Sequence, residues 1–266
     1  VANTRIQRES GFSDCYFQPC SGDAGTSLGA ALYVSHSKGV ERVTHPMTDY
    51  LGPEFSDDEI GEELARGGIA GHRLSDPCAV AGRAIGDGRI IGWFQGRAEF
   101  GPRSLGNRSI LCDPGRADMK DVLNARVKFR EPFRPFAPSV LAEAASTYFD
   151  DNGVPSPFML LVYDTRPEYA ATLPSVTHVD GGARVQSVTR EQNARYYDLI
   201  KEVGGHTGIP CVLNTSFNIR GEPIVNTPAD ALKCFFTTDM DLLFMGSWIV
   251  GKDQDLVAKT IQGESG

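Results

Sequence analysis

The sequence predicts a mixed α/β fold (α/β or α+β), in which short buried strands alternate with amphipathic helices. Three observations carry that prediction. Apolar runs such as Arg89–Gly96 (RIIGWFQG) and Phe158–Thr165 (FMLLVYDT) have the length and composition of strands inside a sheet. Segments with apolar residues at helical spacing, such as Ser56–Gly67 and Ala117–Lys128, fall between such runs. No internal repeat or low-complexity tract interrupts the alternation, which is the pattern of a layered α/β domain.

The elements follow in order. Cys15–Cys20 (CYFQPC) reads as a short strand, and Ser21–Gly39 as a loop entering a small-residue helix that stops at Gly39. Residues 40–56, with Pro46, Gly52 and Pro53, read as a linker. Ser56–Gly67 carries acids in its first turn and Ile60, Leu64 and Ala65 at helical spacing. Ala79–Ala84 is too small and polar to assign. Arg89–Gly96 and Ser109–Asp113 are strands. Ala117–Lys128 is a helix with Met119, Val122, Leu123 and Val127 on one face. Pro138–Phe149 begins apolar and turns helical, and Phe158–Thr165 is an interior strand. Thr189–Val203 is a helix, and Gly208–Ser216 a strand leading into a polar loop. Thr227 caps a helix to Phe235 with Pro228 at its first position. Met240–Lys252 supplies one or two last strands, and the final dozen residues are expected to fray.

Bulk properties narrow the function classes. The chain has 266 residues, enough for one large or two smaller domains. Hydrophobic residues make up 41 % and charged residues 23 %, ordinary for a water-soluble fold. No run of eighteen apolar residues marks a membrane span. The start, VANTRIQRES, has no apolar stretch of a secretory signal and no initiator Met, so a longer, cytoplasmic parent protein is expected. Six cysteines without a CxxC pair read as reduced thiols. A pI near 5.2 argues against nucleic acid and anionic membrane as partners. Nothing in the sequence decides the oligomeric state, and a homodimer remains open.

Against that acidic background, Arg97–Pro138 is a cationic island. It holds nine cations against five anions, a net +4, in a chain of net charge −8. A local island suits a compact polyanion such as a phosphate or nucleotide. Its first half, Gly96–Ser109 (GRAEFGPRSLGNRS), sets Arg97, Arg103, Asn107 and Arg108 in a Gly/Pro-rich loop between two strands. Guanidinium forks bind phosphate oxygens in pairs, and glycines let backbone amides approach an anion. The same loop also reads as solvated arginines. Its second half, Lys128–Pro138 (KFREPFRPFAP), interleaves Lys128, Arg130 and Arg134 with Phe129, Phe133, Phe136 and prolines at 132, 135 and 138.

Three further segments are candidates. Leu213–Val225 (LNTSFNIRGEPIV) offers Asn214, Ser216 and Asn218 after a strand, suited to a small polar ligand or to an Asn-rich turn. Val176–Val188 places His178, Asp180 and Arg184 around Gly181-Gly182. The His–Asp pair reads as structural without a nucleophile, and Arg184 as an anion contact. Asp23, at the start of the first long helix, reads as a helix cap or a metal ligand.

Taken together, GDAGTSLGAAL, GRAEFGPRSLGNRSIL, KFREPFRPFAPSVL, THVDGGARVQSV and LNTSFNIRGEPIV resemble the O-carbamoyltransferases of the NodU/TobZ type, in family order along nearly the whole chain. The resemblance implies a twisted, mixed YrdC-like sheet over residues 46–266, preceded by the C-terminal end of an actin-like domain over 1–45. It implies carbamoyl-adenylate formation from carbamoyl phosphate and ATP, with Mg2+ accompanying ATP, and transfer to a hydroxyl of a small-molecule acceptor. Arg103, Lys128, Arg134 and Arg184 would line the carbamoyl phosphate and ATP pocket. Ser216 and Asn218 would form the Ser-x-Asn turn. Asp23 would ligate the Fe2+ or other divalent metal of the complete actin-like domain, most of whose ligands this sequence lacks. The runner-up is a threonylcarbamoyl-adenylate synthase-like enzyme of tRNA modification. A non-catalytic nucleotide-binding module is the alternative of another class.

Overall fold

The computed structural model of the chain describes residues 2–41, 48–131 and 133–262. The expected domain boundary between residues 45 and 46, Pro46 within the linker, and Pro132 lie outside the described residues.

An eight-stranded sheet forms the frame. Its strands are β1 (His72–Arg73), β2 (Ile91–Phe94), β3 (Arg108–Cys112), β4 (Ala137–Leu141), β8 (Gln186–Val188), β9 (Cys211–Ser216), β10 (Leu242–Met245) and β11 (Trp248–Gly251). Their order is β1-β11-β10-β2-β3-β9-β4-β8. The β10–β2 and β4–β8 pairs are parallel and the others antiparallel, so the sheet is mixed. A three-stranded antiparallel sheet stands apart, formed by β5 (Phe149–Asp150), β6 (Tyr163–Thr165) and β7 (Gly182–Ala183).

Both faces of the large sheet are buried, which explains its continuously apolar strands. On one face, Ile91, Trp93, Leu111, Val212, Leu242 and Phe244 pack on helices α4 (Pro77–Gly86), α7 (Ala194–Thr207) and α9 (Gln254–Gln262). On the other, Phe94, Ile110, Cys112, Leu213, Leu243 and Met245 meet α3 (Asp57–Arg66), α5 (Met119–Leu123), α6 (Ala142–Tyr148) and α8 (Pro228–Phe236). Alternate residues of each strand thus serve alternate cores. Gly82 lets α4 approach α7, since a Cβ there would lie 2.5 Å from Glu202 Cβ.

Local rules set many boundaries. Ser56 and Glu59 form a capping box at α3, and Thr227 and Asp230 form one at α8, with Pro228 at its first position. Strands Ile91–Phe94 and Arg108–Cys112, the strand-to-helix switch at Leu141, and the β10–β11 hairpin follow the sequence expectations.

Several expectations fail. Cys15–Cys20 is irregular and pairs with no strand among the described residues. Of Phe158–Thr165 only Tyr163–Thr165 is a strand, and it belongs to the small sheet. Met159, at φ 55°, breaks the run before it. Helix α7 starts only at Ala194, where Asn193 accepts from Tyr196 N, and it runs on to Thr207. The unassigned Ala79–Ala84 lies within α4, capped by Asp76. Residues Gln254–Gln262 are helical and anchored by buried Val257, rather than frayed, and the last four residues of the expected frayed dozen lie outside the described residues. Ala65 is exposed on α3.

At the N-terminus, α1 (Ala2–Glu9) docks on the small sheet's approach. Asn3 Nδ2 donates to Leu160 O, and Val162 N donates to Thr4 Oγ1. Helix α2 (Asp23–Ser37) buries none of its residues. All six cysteines are free thiols. Among the described residues, no helix is long and apolar enough to cross a membrane.

Candidate anion-binding groove

The β2–β3 loop, the segment before β4, the segment after β7 and the end of β9 converge on one groove. Its inner part, about 450 Å3, is lined by Pro102–Ser104, Arg130, Pro135–Ala137, Met159, Arg184 and Asn214–Ser216. Its outer part, about 1080 Å3, shares Arg103, Arg130 and Arg184 and adds Arg134, Leu160, Val162, His178 and Asn3. Among the described residues, neither part is lined by an aspartate or glutamate.

Glu99 shapes the loop that carries Arg103. Its Oε1 accepts from the backbone N–H of Leu105 (2.7 Å), Asn107 (2.8 Å) and Arg108 (3.2 Å). One buried carboxylate oxygen therefore ties both ends of the excursion from residue 99 to residue 108. Gly101 and Gly106 take φ of 133° and 108° to make its bends. Burial raises the Glu99 carboxyl above its ordinary range, against the backbone amides that lower it.

The arginines differ in how they are held. Arg103 is exposed at the groove's rim. Arg130 donates through Nε to Asn124 Oδ1 (2.8 Å), and its guanidinium stacks 4.6 Å from the Phe136 ring centre. Arg184 is pushed down to about 10, first by burial and then by Arg103 and Arg130. Its Nε is buried without a partner. Like charges crowded into a low-dielectric groove are costly until an anion arrives. Arg134 stands only in the outer part and pairs with Glu131 at 3.0 Å. His178 also lines the outer part, and burial chiefly lowers its pKa, which favours a neutral imidazole.

Lys128 is buried behind this wall rather than in it. Its Nζ donates to Ser216 O, Asn218 O (3.0 Å) and Asn218 Oδ1 (2.9 Å), with Ser216 Oγ at 3.4 Å. It clamps the Ser216–Asn218 turn, and burial pushes it down to about 7. The structure thus brings Lys128, Ser216 and Asn218 together, with Ser216 facing the groove.

Other candidates lie elsewhere. Arg108 is fully buried, and its guanidinium donates to the carbonyls of Gln95, Gly96, Asn107 and Pro53, above the Phe94 ring. It holds the loop's base and does not reach the groove. Asn107 is buried between Arg97 O and Asn193 Nδ2, and Arg97 is exposed near Leu51 O. Asp23 is exposed on α2. Among the described residues no group of three or more His, Cys, Asp or Glu could hold a metal ion. Among the described residues Asp23 therefore stands without co-ligands for the divalent metal expected of the complete actin-like domain.

Sequence reasoning missed Ser104, Met159 and Glu99. Only the acid inside the arginine loop gave any signal, since a lone carboxylate among cations invites a structural role.

Comparison with known proteins gives a consistent picture. The family described as Carbamoyltransferase C-terminus matches residues 82–252. The nodulation protein NolNO of Sinorhizobium fredii is 46 % identical over 94 % of this chain and 38 % of its own length. NolO of Bradyrhizobium diazoefficiens is 45 % identical over 91 % of this chain and 45 % of its own. The uncharacterized protein sll1178 of Synechocystis is 41 % identical over 95 % of this chain and 46 % of its own. The chain therefore spans less than half the length of these relatives. Full-length HypF in its phosphate- and nucleotide-bound form aligns over 66 % of this chain and 22 % of its own, with TM-score 0.46 and 17 % identity.

Proposed function

The chain belongs to the carbamoyltransferase C-terminal family, and from that premise we propose that residues 46–266 are a YrdC-like unit that makes carbamoyl-adenylate from carbamoyl phosphate and ATP. The carbamoyl group would then pass to a hydroxyl of a small-molecule acceptor, completing an O-carbamoyl transfer. Residues 1–45 would be the end of an actin-like domain in which that second step occurs. Any divalent metal would belong to that larger domain, and no step here is routed through it.

The observation that carries this reading is the convergence of Arg103, Arg130 and Arg184 on a groove with no carboxylate lining it among the described residues, with Arg184 Nε buried and unpartnered. Such a groove suits ligands rich in phosphate. The atoms of the reaction dictate its order. Carbamoyl-adenylate keeps only the α-phosphorus of ATP, so the phosphate of carbamoyl phosphate leaves to water as inorganic phosphate. The carbamate oxygen so freed attacks the α-phosphorus, and pyrophosphate leaves. ATP enters as its Mg2+ complex. Negative charge builds on phosphoryl oxygens, and preoriented guanidinium groups offset it without reorganising. No side-chain nucleophile is needed. Lys128 acts by fixing the Ser216 turn, and His178 and Arg134 serve the outer groove.

The test is pyrophosphate release from ATP that depends on carbamoyl phosphate. Arg184→Ala should lower kcat/KM by roughly 100-fold, as for loss of one preorganised donor of about 3 kcal/mol. Nucleotide binding without carbamoyl phosphate-dependent release would instead favour a binding module. An Arg184→Ala protein with undiminished turnover would remove the groove from the mechanism.

A further inference from the structure

One amide on the groove wall is left unsatisfied in a way that selects its ligand. Asn214 Nδ2 donates to Ser104 O (3.1 Å) and Ser139 Oγ (3.1 Å), and lies 3.2 Å from Gln186 Oε1. The orientation of this amide is determined by its neighbours. Ser104 O can only accept. Gln186 Nε2 donates to Leu105 O (2.9 Å), which turns Gln186 Oε1 toward Asn214, and Ser139 Oγ donates to that same oxygen (2.6 Å). Reversing Asn214 would set oxygen against oxygen twice. Its Oδ1 is therefore the free end, and it is buried without a partner.

Two other residues of the inner groove carry buried polar atoms without partners, Ser104 (Oγ) and Arg184 (Nε). An anion satisfies both of these, since each can donate. It cannot satisfy Asn214 Oδ1, which only accepts. A ligand that completes the wall joins a hydrogen-bond donor to an anionic group within the span of one small cavity.

We infer that Asn214 Oδ1 receives the amide N–H of the carbamoyl group and so selects carbamoyl phosphate over acyl phosphates. This deepens the proposed function and rests on its assignment of the groove. Acetyl phosphate is the discriminating competitor. It has the same size and charge, with a methyl group where carbamoyl phosphate has its amine. Setting a methyl group against a buried acceptor forfeits a hydrogen bond and leaves the desolvation uncompensated, worth roughly 10- to 100-fold in affinity.

The experiment is equilibrium competition of carbamoyl phosphate, acetyl phosphate and inorganic phosphate for the purified chain, wild type and Asn214→Ala. Wild type should bind carbamoyl phosphate roughly 10- to 100-fold more tightly than acetyl phosphate. Asn214→Ala should bring the two within about threefold, by weakening carbamoyl phosphate alone. Equal binding of both anhydrides by wild type overturns the inference even where the buried variant fails to fold. So does a folded variant that weakens both anhydrides alike, which is the mark of a purely structural role. A wild type that prefers carbamoyl phosphate yet releases no pyrophosphate sinks the adenylation reading and leaves this selectivity standing. Binding of neither anhydride overturns both.

Discussion

Replacing Arg108 by lysine separates a structural arginine from a ligand-binding one. The side chain is 0 % exposed. Its NH1 donates to Gly96 O (3.2 Å), Asn107 O (3.1 Å) and Gln95 O, and its NH2 to Pro53 O (3.1 Å) and Gly96 O (3.2 Å). The guanidinium carbon lies 3.7 Å from the Phe94 ring centre. Lysine keeps the charge but concentrates three donors at one point, so the fork to Pro53 and Gly96 cannot be reproduced. One buried carbonyl left unpaired costs about 1–3 kcal/mol, and loss of the stacked cation about 1 kcal/mol more. Arg108→Lys should therefore destabilise the chain by about 2–4 kcal/mol. Urea unfolding followed by tryptophan fluorescence measures this, because Trp93 lies in the adjoining strand. Phosphate affinity of the folded variant should stay within about twofold, since Arg108 does not line the groove. Stability within about 0.5 kcal/mol of wild type, together with weakened phosphate binding, would refute the reasoning.

Two further predictions concern the same loop. Asp49 is buried beside it, and burial followed by the Glu99 charge raises its carboxyl to about 6. A carboxyl held above its unfolded value contributes stability below about pH 4, and that contribution is lost as pH rises through 6. Asp49→Asn, which mimics the protonated form, should be more stable than wild type at pH 7, by at most about 3 kcal/mol. Its advantage should shrink toward pH 4.5, and a gap that stays constant across urea titrations at these pH values would exclude this role. Gly106→Ala should cost about 3 kcal/mol or more, because the new Cβ would lie 2.1 Å from the buried Tyr196 ring at a φ of 108°. An unchanged unfolding midpoint would show that loop and helix yield freely.

Within each cationic segment the cations met different fates for one reason. Charge, glycine and proline mark Gly96–Ser109 as a loop, and Arg103 does reach the groove. Arg108, five residues on, has the same composition around it, yet lies in a strand whose alternation turns it inward. In Lys128–Pro138 the outcome is similar. Arg130 lines the inner groove, Arg134 only the outer part, and Lys128 neither. Left-handed Phe129 ends the π-helical turn Asn124–Lys128 just after the lysine, which leaves Lys128 buried while Arg130 continues into the groove.

What is encoded locally was legible in the residues alone. Periodicity marked most strands and helices, capping residues marked the starts of α3 and α8, and ordered motifs marked the family. These signals depend on neighbours within about one helical turn. Long-range packing set which cations face the groove and which face carbonyls. It also decided that Glu99 ties the arginine loop and that Asn214 keeps one acceptor free. Those facts depend on groups far apart in the chain, such as Gln186 and Asn214 or Lys128 and Asn218. Packing brings such groups together, and buried polar atoms must then find partners from whatever packing supplies.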